Sequence, residues 1–64
     1  MPFVSIKMLE GRTKEQKEKL IKSVSAAVAQ ALNIDISNVW TVVEDFSKDE
    51  WGIGGVLSSE KLKK

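Results

Sequence analysis

The sequence of 64 residues has no cysteine and no histidine, and only one proline. Without cysteine there is neither a disulfide nor a thiol nucleophile. Without histidine there is no Ser-His arrangement, and zinc or haem loses its usual ligands. A chain of this length buries only about 60% of the surface its unfolded form exposes, so small domains normally lean on disulfides, metals or association. Association is what this composition leaves. Ten basic residues stand against nine acidic ones, a formal net charge of +1, which lacks the strongly basic character of electrostatic nucleic-acid binding. No apolar run approaches the ~18 residues of a membrane span, and no basic flank precedes a long hydrophobic region at the N-terminus. A soluble, cytoplasmic protein with no nucleic-acid or membrane partner is expected. The basic end Lys-Leu-Lys-Lys, residues 61–64, reads as a solvated terminus.

What is present is well patterned. From Phe3 to Leu9, Val4, Ile6 and Met8 alternate with Phe3, Ser5, Lys7 and Leu9. This predicts a strand with one wholly apolar side, turned to a core, and one mixed side, partly wet. Thr13-Lys14-Glu15-Gln16 fits a capping box, so a helix starts at about Lys14. Leu20, Ile21, Val24, Ala27, Val28, Ala31 and Leu32 recur at helical spacing, with Lys14, Lys17, Glu18, Lys22 and Ser25 on the remaining surface. Ala27, Val28 and Ala31 form a low ridge suited to close packing, and Asn33 can end the helix in a left-handed conformation. Residues 34–38 read as a loop. Val39 to Phe46 is β-branched and aromatic and reads as a second strand, parallel to the first through a right-handed crossover.

The fold class is thus α+β or α/β, one βαβ unit spanning residues 1–64 as a single domain, with a hairpin-like C-terminal segment. Trp51 to Leu57 mixes glycines with large apolar groups and should pack against something. Two strands under one helix leave a face and both edges open, which a further subunit should cover.

Few residues remain for chemistry. Pro2 neither shapes a turn nor stops a helix. Either it starts a strand, where its missing donor does little harm, or removal of Met1 frees its secondary amine. An α-amino group titrates near about 7.7–8, and an apolar pocket or a nearby cation lowers that value toward the range where a general base works at neutral pH. Arg12 is the one arginine. Beside a helix N-terminus it is either a solvated loop residue or half of a carboxylate seat. Trp40 and Trp51 are core or interface residues, or the walls of an apolar pocket. Glu10, Glu44 and Asp45 are candidate acids or ion-pair members. The glycines of Trp51-Gly52-Ile53-Gly54-Gly55 do not follow a phosphate-binding pattern.

Taken together, the segment MPFVSIKMLEGRTKEQKEKLI, a βαβ continuation and then WGIGG resemble the 4-oxalocrotonate tautomerase family, the small-subunit branch of the tautomerase superfamily. The resemblance spans essentially the full chain. It implies a βαβ protomer that pairs into dimers, three of which form a hexamer, with no metal or organic cofactor. It also implies a small-molecule enol or 2-oxo acid as substrate, such as 2-hydroxymuconate. Pro2 matches the family's amino-terminal general base and Arg12 its carboxylate-binding arginine. Trp51 and Leu9 match positions that line the pocket. At Trp40 the sequence departs from the family, which places there a second arginine that polarises the substrate's 2-oxo or enol oxygen. An indole N–H carries no charge and stabilises a developing oxyanion less. Trp40 therefore marks an altered substrate, a partner chain that supplies the charge in a hetero-oligomer, or a subunit used mainly for assembly.

Overall fold

The computed structural model describes residues 1–61; the last three residues of the basic tail lie outside them. In chain order the elements are strand β1 (Phe3–Leu9), helix α1 (Lys14–Leu32), strand β2 (Trp40–Phe46), the short strands β3 (Gly52–Ile53) and β4 (Val56–Leu57), and a terminal turn of helix, α2 (Ser58–Lys61). β1 and β2 are parallel, with Phe3 opposite Trp40 and Leu9 opposite Phe46. α1 is the crossover between them, so the expected βαβ unit is present. The hairpin of β3 and β4 turns on Gly54 and Gly55, both at positive φ, as a two-residue type I′ connection requires.

The helix begins and ends where its local chemistry dictates. The Thr13 hydroxyl accepts from the Gln16 N–H at 3.1 Å, and the Gln16 carboxamide oxygen accepts from the Thr13 N–H at 2.9 Å. Removing such a cap costs about 1 kcal/mol. At the other end Asn33 adopts φ 56° and ψ 50°, and the Ile34 N–H donates to the Ala29 carbonyl at 3.0 Å. Carbonyls left without helical partners are thereby satisfied.

Val4, Ile6 and Met8 are half-buried under the helix while Phe3, Ser5 and Lys7 are exposed, matching the two-sided reading of β1. The helix face differs from expectation in detail, and Leu32 of the expected apolar stripe is exposed. Ser25, assigned to the surface, is buried, and its hydroxyl lies 2.7 Å from the Thr41 hydroxyl on β2. Lys17, also assigned to the surface, is half-buried and ion-paired with Asp45. The small residue buried against the sheet is Ala29, whereas Ala27 and Ala31 of the expected ridge are exposed. The apolar periodicity alone did not resolve neighbouring stripes about 100° apart.

β2 starts one residue later than expected, because the Val39 N–H closes a 3-10 turn onto the Ile36 carbonyl at 3.0 Å and is withdrawn from the ladder. The residues expected to form only a loop there include this turn, Ile36–Asn38.

The chain is elongated, 45 × 24 × 13 Å, with a radius of gyration of 14.9 Å, where a compact chain of this length has about 11 Å. Ala29 is the one apolar residue buried among those described. The sheet face opposite α1 carries Phe3, Trp40 and Val42 in the open.

Candidate active site

β1 separates the expected site residues into two groups. At its start, Pro2 is half-buried and its carbonyl accepts the Trp40 N–H at 3.1 Å. Trp40 and Phe3 are register partners. Paired residues of neighbouring strands project to the same face, so the two aromatic side chains share the open side of the sheet. Phe3 was not singled out by sequence reasoning; the signal available was its alternation with Val4.

At the far end of β1, Leu9, Arg12 and Trp51 line one depression of about 520 Å³ together with Lys7, Met8, Glu10, Gly11 and Lys48. Three of the five expected pocket residues are thus brought together within one chain. Gly11, at φ 121°, takes a conformation that L side chains rarely adopt, and it turns the chain sharply between the strand and the helix cap. Arg12 also borders a smaller hollow on the helix side, with Met8, Gln16, Lys17 and Leu20.

Trp51 is held against Phe46, ring centroids 6.0 Å apart and planes at 59°, a tilted contact that aromatic quadrupoles favour. The Lys7 ammonium lies 5.9 Å from the Phe46 centroid and 3.1 Å from the Glu44 carboxylate. Lys7 is therefore already engaged. Arg12 and Lys48, by contrast, take part in no ion pair among the described residues. Two uncommitted cations over the apolar walls of Leu9, Met8 and Trp51 suit a carboxylate carried on an apolar body. Lys48 was missed in the sequence, where it sat in a polar stretch between two recognisable elements.

Of the candidate acids, Glu44 and Asp45 are the ion-pair partners of Lys7 and Lys17, and Glu10 lines the depression. Asp35, in the connection between α1 and β2, has its carboxyl held below the usual range by the Ser37 backbone N–H and then by the Ser37 hydroxyl.

Pro2 and Trp40 do not meet Leu9, Arg12 and Trp51 within the chain. Seven residues of extended strand put about 20 Å between its ends, so the two groups do not face one another within this chain.

The family described as tautomerase enzyme matches residues 2–61. The chain is 43% identical over 60 residues to a 2-hydroxymuconate tautomerase from Comamonas testosteroni, an alignment covering 94% of this chain and 95% of that one. It belongs to the 4-oxalocrotonate tautomerase family. As a tautomerase it is an isomerase of the keto–enol type.

Among solved structures, the fold is similar to that of the 4-oxalocrotonate tautomerase isozymes from Methylibium petroleiphilum. That similarity has a TM-score of 0.92 and 39% identity, covering 97% of this chain and all of that one. It is equally similar, at TM-score 0.92 and 35% identity, to a heterohexamer 4-oxalocrotonate tautomerase from Chloroflexus aurantiacus, covering 98% of this chain and all of the other. Tautomerases of this family thus include oligomers built from unlike chains.

Proposed function

We propose that Pro2, freed of Met1, is the general base of this tautomerase, acting on a 2-hydroxydienoate such as 2-hydroxymuconate or on a related 2-oxo acid. The neutral secondary amine takes the proton of the enol hydroxyl, the O–H electrons form the C=O bond, and the displaced π electrons accept that same proton at carbon. One O–H bond breaks, one C–H bond forms, and the amine is returned neutral. Arg12 anchors the substrate carboxylate, while Trp51, Leu9 and Trp40 wall the site and exclude water. No metal or cofactor enters this proton transfer.

The observation that carries this reading is the depression in which Arg12 and Trp51 converge beside Leu9, in a chain of a tautomerase family with proline at position 2. Its distance from Pro2 supports a homo-oligomer, a hexamer by analogy with the family, in which one protomer's Arg12 serves another's Pro2. The open, apolar sheet face and the elongated protomer support the same association. The test is ketonisation of 2-hydroxymuconate and a related enol acid by protein whose N-terminus is verified by mass spectrometry. Pro2→Ala, and separately retention of Met1, lower the rate about a hundredfold or more. Full activity in both forms overturns the assignment.

A second reading has one observation in its favour: Trp40 stands where the family places a charge. The chain would then be a non-catalytic or half-catalytic subunit of a hetero-oligomer, of the kind its similarity to the C. aurantiacus chain suggests. Native mass spectrometry after co-expression with neighbouring reading frames distinguishes the two, since an active homo-oligomer excludes the second.

A further inference from the structure

No lysine or arginine occurs between Lys22 and Lys48. That interval supplies the C-terminal part of α1, the connection after it and all of β2, and the last turn of α1 contains no basic residue. The Pro2 end of the protomer consequently offers two aromatic side chains in place of positive charge. Phe3 and Trp40 lie on one face of the sheet, 63% and 59% exposed. The hydrogen bond from the Trp40 N–H to the Pro2 carbonyl fixes this strand pair beside Pro2. The opposite end holds Arg12 and Lys48, both outside any ion pair among the described residues. The two ends of the site are therefore chemically unlike.

On the reading of Pro2 as proton carrier, we propose that the preferred substrate is the enol of a 2-oxo monocarboxylic acid bearing a flat apolar group, an aryl group above all, and that Trp40 sets this preference. The single carboxylate meets the cations of Arg12 and Lys48. The flat group stacks on Trp40 and Phe3, whose faces favour an uncharged, polarizable neighbour. A dicarboxylate would bring its second anion against the electron-rich faces of these rings, and residues 23–47 supply no lysine or arginine to offset its desolvation. Proton transfer is conserved: Pro2 takes the enol O–H proton and returns it to carbon 3, leaving the 2-oxo acid.

The experiment compares kcat/KM for phenylenolpyruvate and 2-hydroxymuconate in Met1-free wild type, Trp40→Arg, Trp40→Phe and Pro2→Ala, with oligomeric state and circular dichroism checked for each. The wild type favours phenylenolpyruvate by about tenfold or more. Trp40→Arg moves the ratio about tenfold or more toward 2-hydroxymuconate, and Trp40→Phe keeps the wild-type order. A wild-type preference for 2-hydroxymuconate, or a ratio unmoved by Trp40→Arg, overturns the proposal.

Pro2→Ala separates the two layers of inference. If it abolishes turnover of both substrates, the base stands and the ratio reports specificity alone. If it leaves turnover intact, the base reading falls while the wild-type ratio still decides the substrate class. If the wild type turns over neither enol, specificity is read from binding of cinnamate against cis,cis-muconate by tryptophan fluorescence. Tighter binding of cinnamate supports the proposal, and tighter or equal binding of muconate overturns it.

Discussion

The Ser25 hydroxyl lies 2.7 Å from the Thr41 hydroxyl, a polar clasp between the middle of α1 and the helix-facing side of β2. Removing one partner leaves the other with an unmade hydrogen bond in a largely dry contact. Ser25→Ala or Thr41→Val should each lower stability by about 1 kcal/mol, whereas the double variant recovers much of the loss. Urea titration of the four proteins in a double-mutant cycle measures this coupling, and strictly additive losses would refute it.

Ser58 is fully buried, its backbone N–H donating to the Trp51 carbonyl at 2.7 Å while its hydroxyl has no partner among the described residues. Here the side chain, not the backbone, bears the cost. Ser58→Ala should therefore be neutral or stabilising by up to about 1 kcal/mol. Ser58→Leu should destabilise by about 1–3 kcal/mol through overpacking. The two variants' urea midpoints should fall on opposite sides of, or at and below, the wild-type value; a clear loss in Ser58→Ala contradicts the account.

Arg12 is exposed and outside any ion pair among the described residues, so its replacement spares the fold. Loss of a charge-assisted carboxylate contact amounts to about 1.5–3 kcal/mol, so Arg12→Ala should reduce kcat/KM roughly ten- to a hundredfold. Arg12→Lys should recover part of this, retaining the charge without the planar fork. Steady-state kinetics read both, and an unchanged kcat/KM in Arg12→Ala removes the carboxylate from this residue.

Asp35 accepts the Ser37 N–H at 2.9 Å, and its pKa is lowered by that bond first and by the Ser37 hydroxyl second. A folded value below the unfolded one contributes stability that is present above the unfolded pKa and lost as pH falls through the folded pKa. A carboxyl-detected NMR titration should place Asp35 below the ordinary aspartate value of about 3.9. Asp35→Asn should flatten its part of the acid limb of stability. A midpoint at or above the ordinary value would show that the bond does not persist in solution.

The elements of this fold were readable because each is set by neighbours a few residues away. Thr13 and Gln16 satisfy each other's backbone donors, Asn33 tolerates the left-handed turn, and Val4, Ile6 and Met8 alternate. Gly54-Gly55 carried a hairpin signal as well, since both positions need positive φ. Leu9, Arg12 and Trp51 were recognisable as candidates from the family motif, yet Lys48 and Phe3 were not. A lysine in a polar linker and a phenylalanine in an alternating strand look ordinary until the fold shows which end of the sheet each occupies.

By itself the sequence determined the βαβ order, the caps and the parallel crossover, all consequences of local hydrogen bonding and periodicity. Only the tertiary structure decided that Ser25 meets Thr41 across 16 residues, that Lys17 meets Asp45 across 28, and that Trp51 and Lys48 line one depression with Leu9 and Arg12. Contacts at such separations depend on strand register and on the direction in which the crossover helix lies. Those are settled by packing all the elements at once, not by any stretch of chain alone.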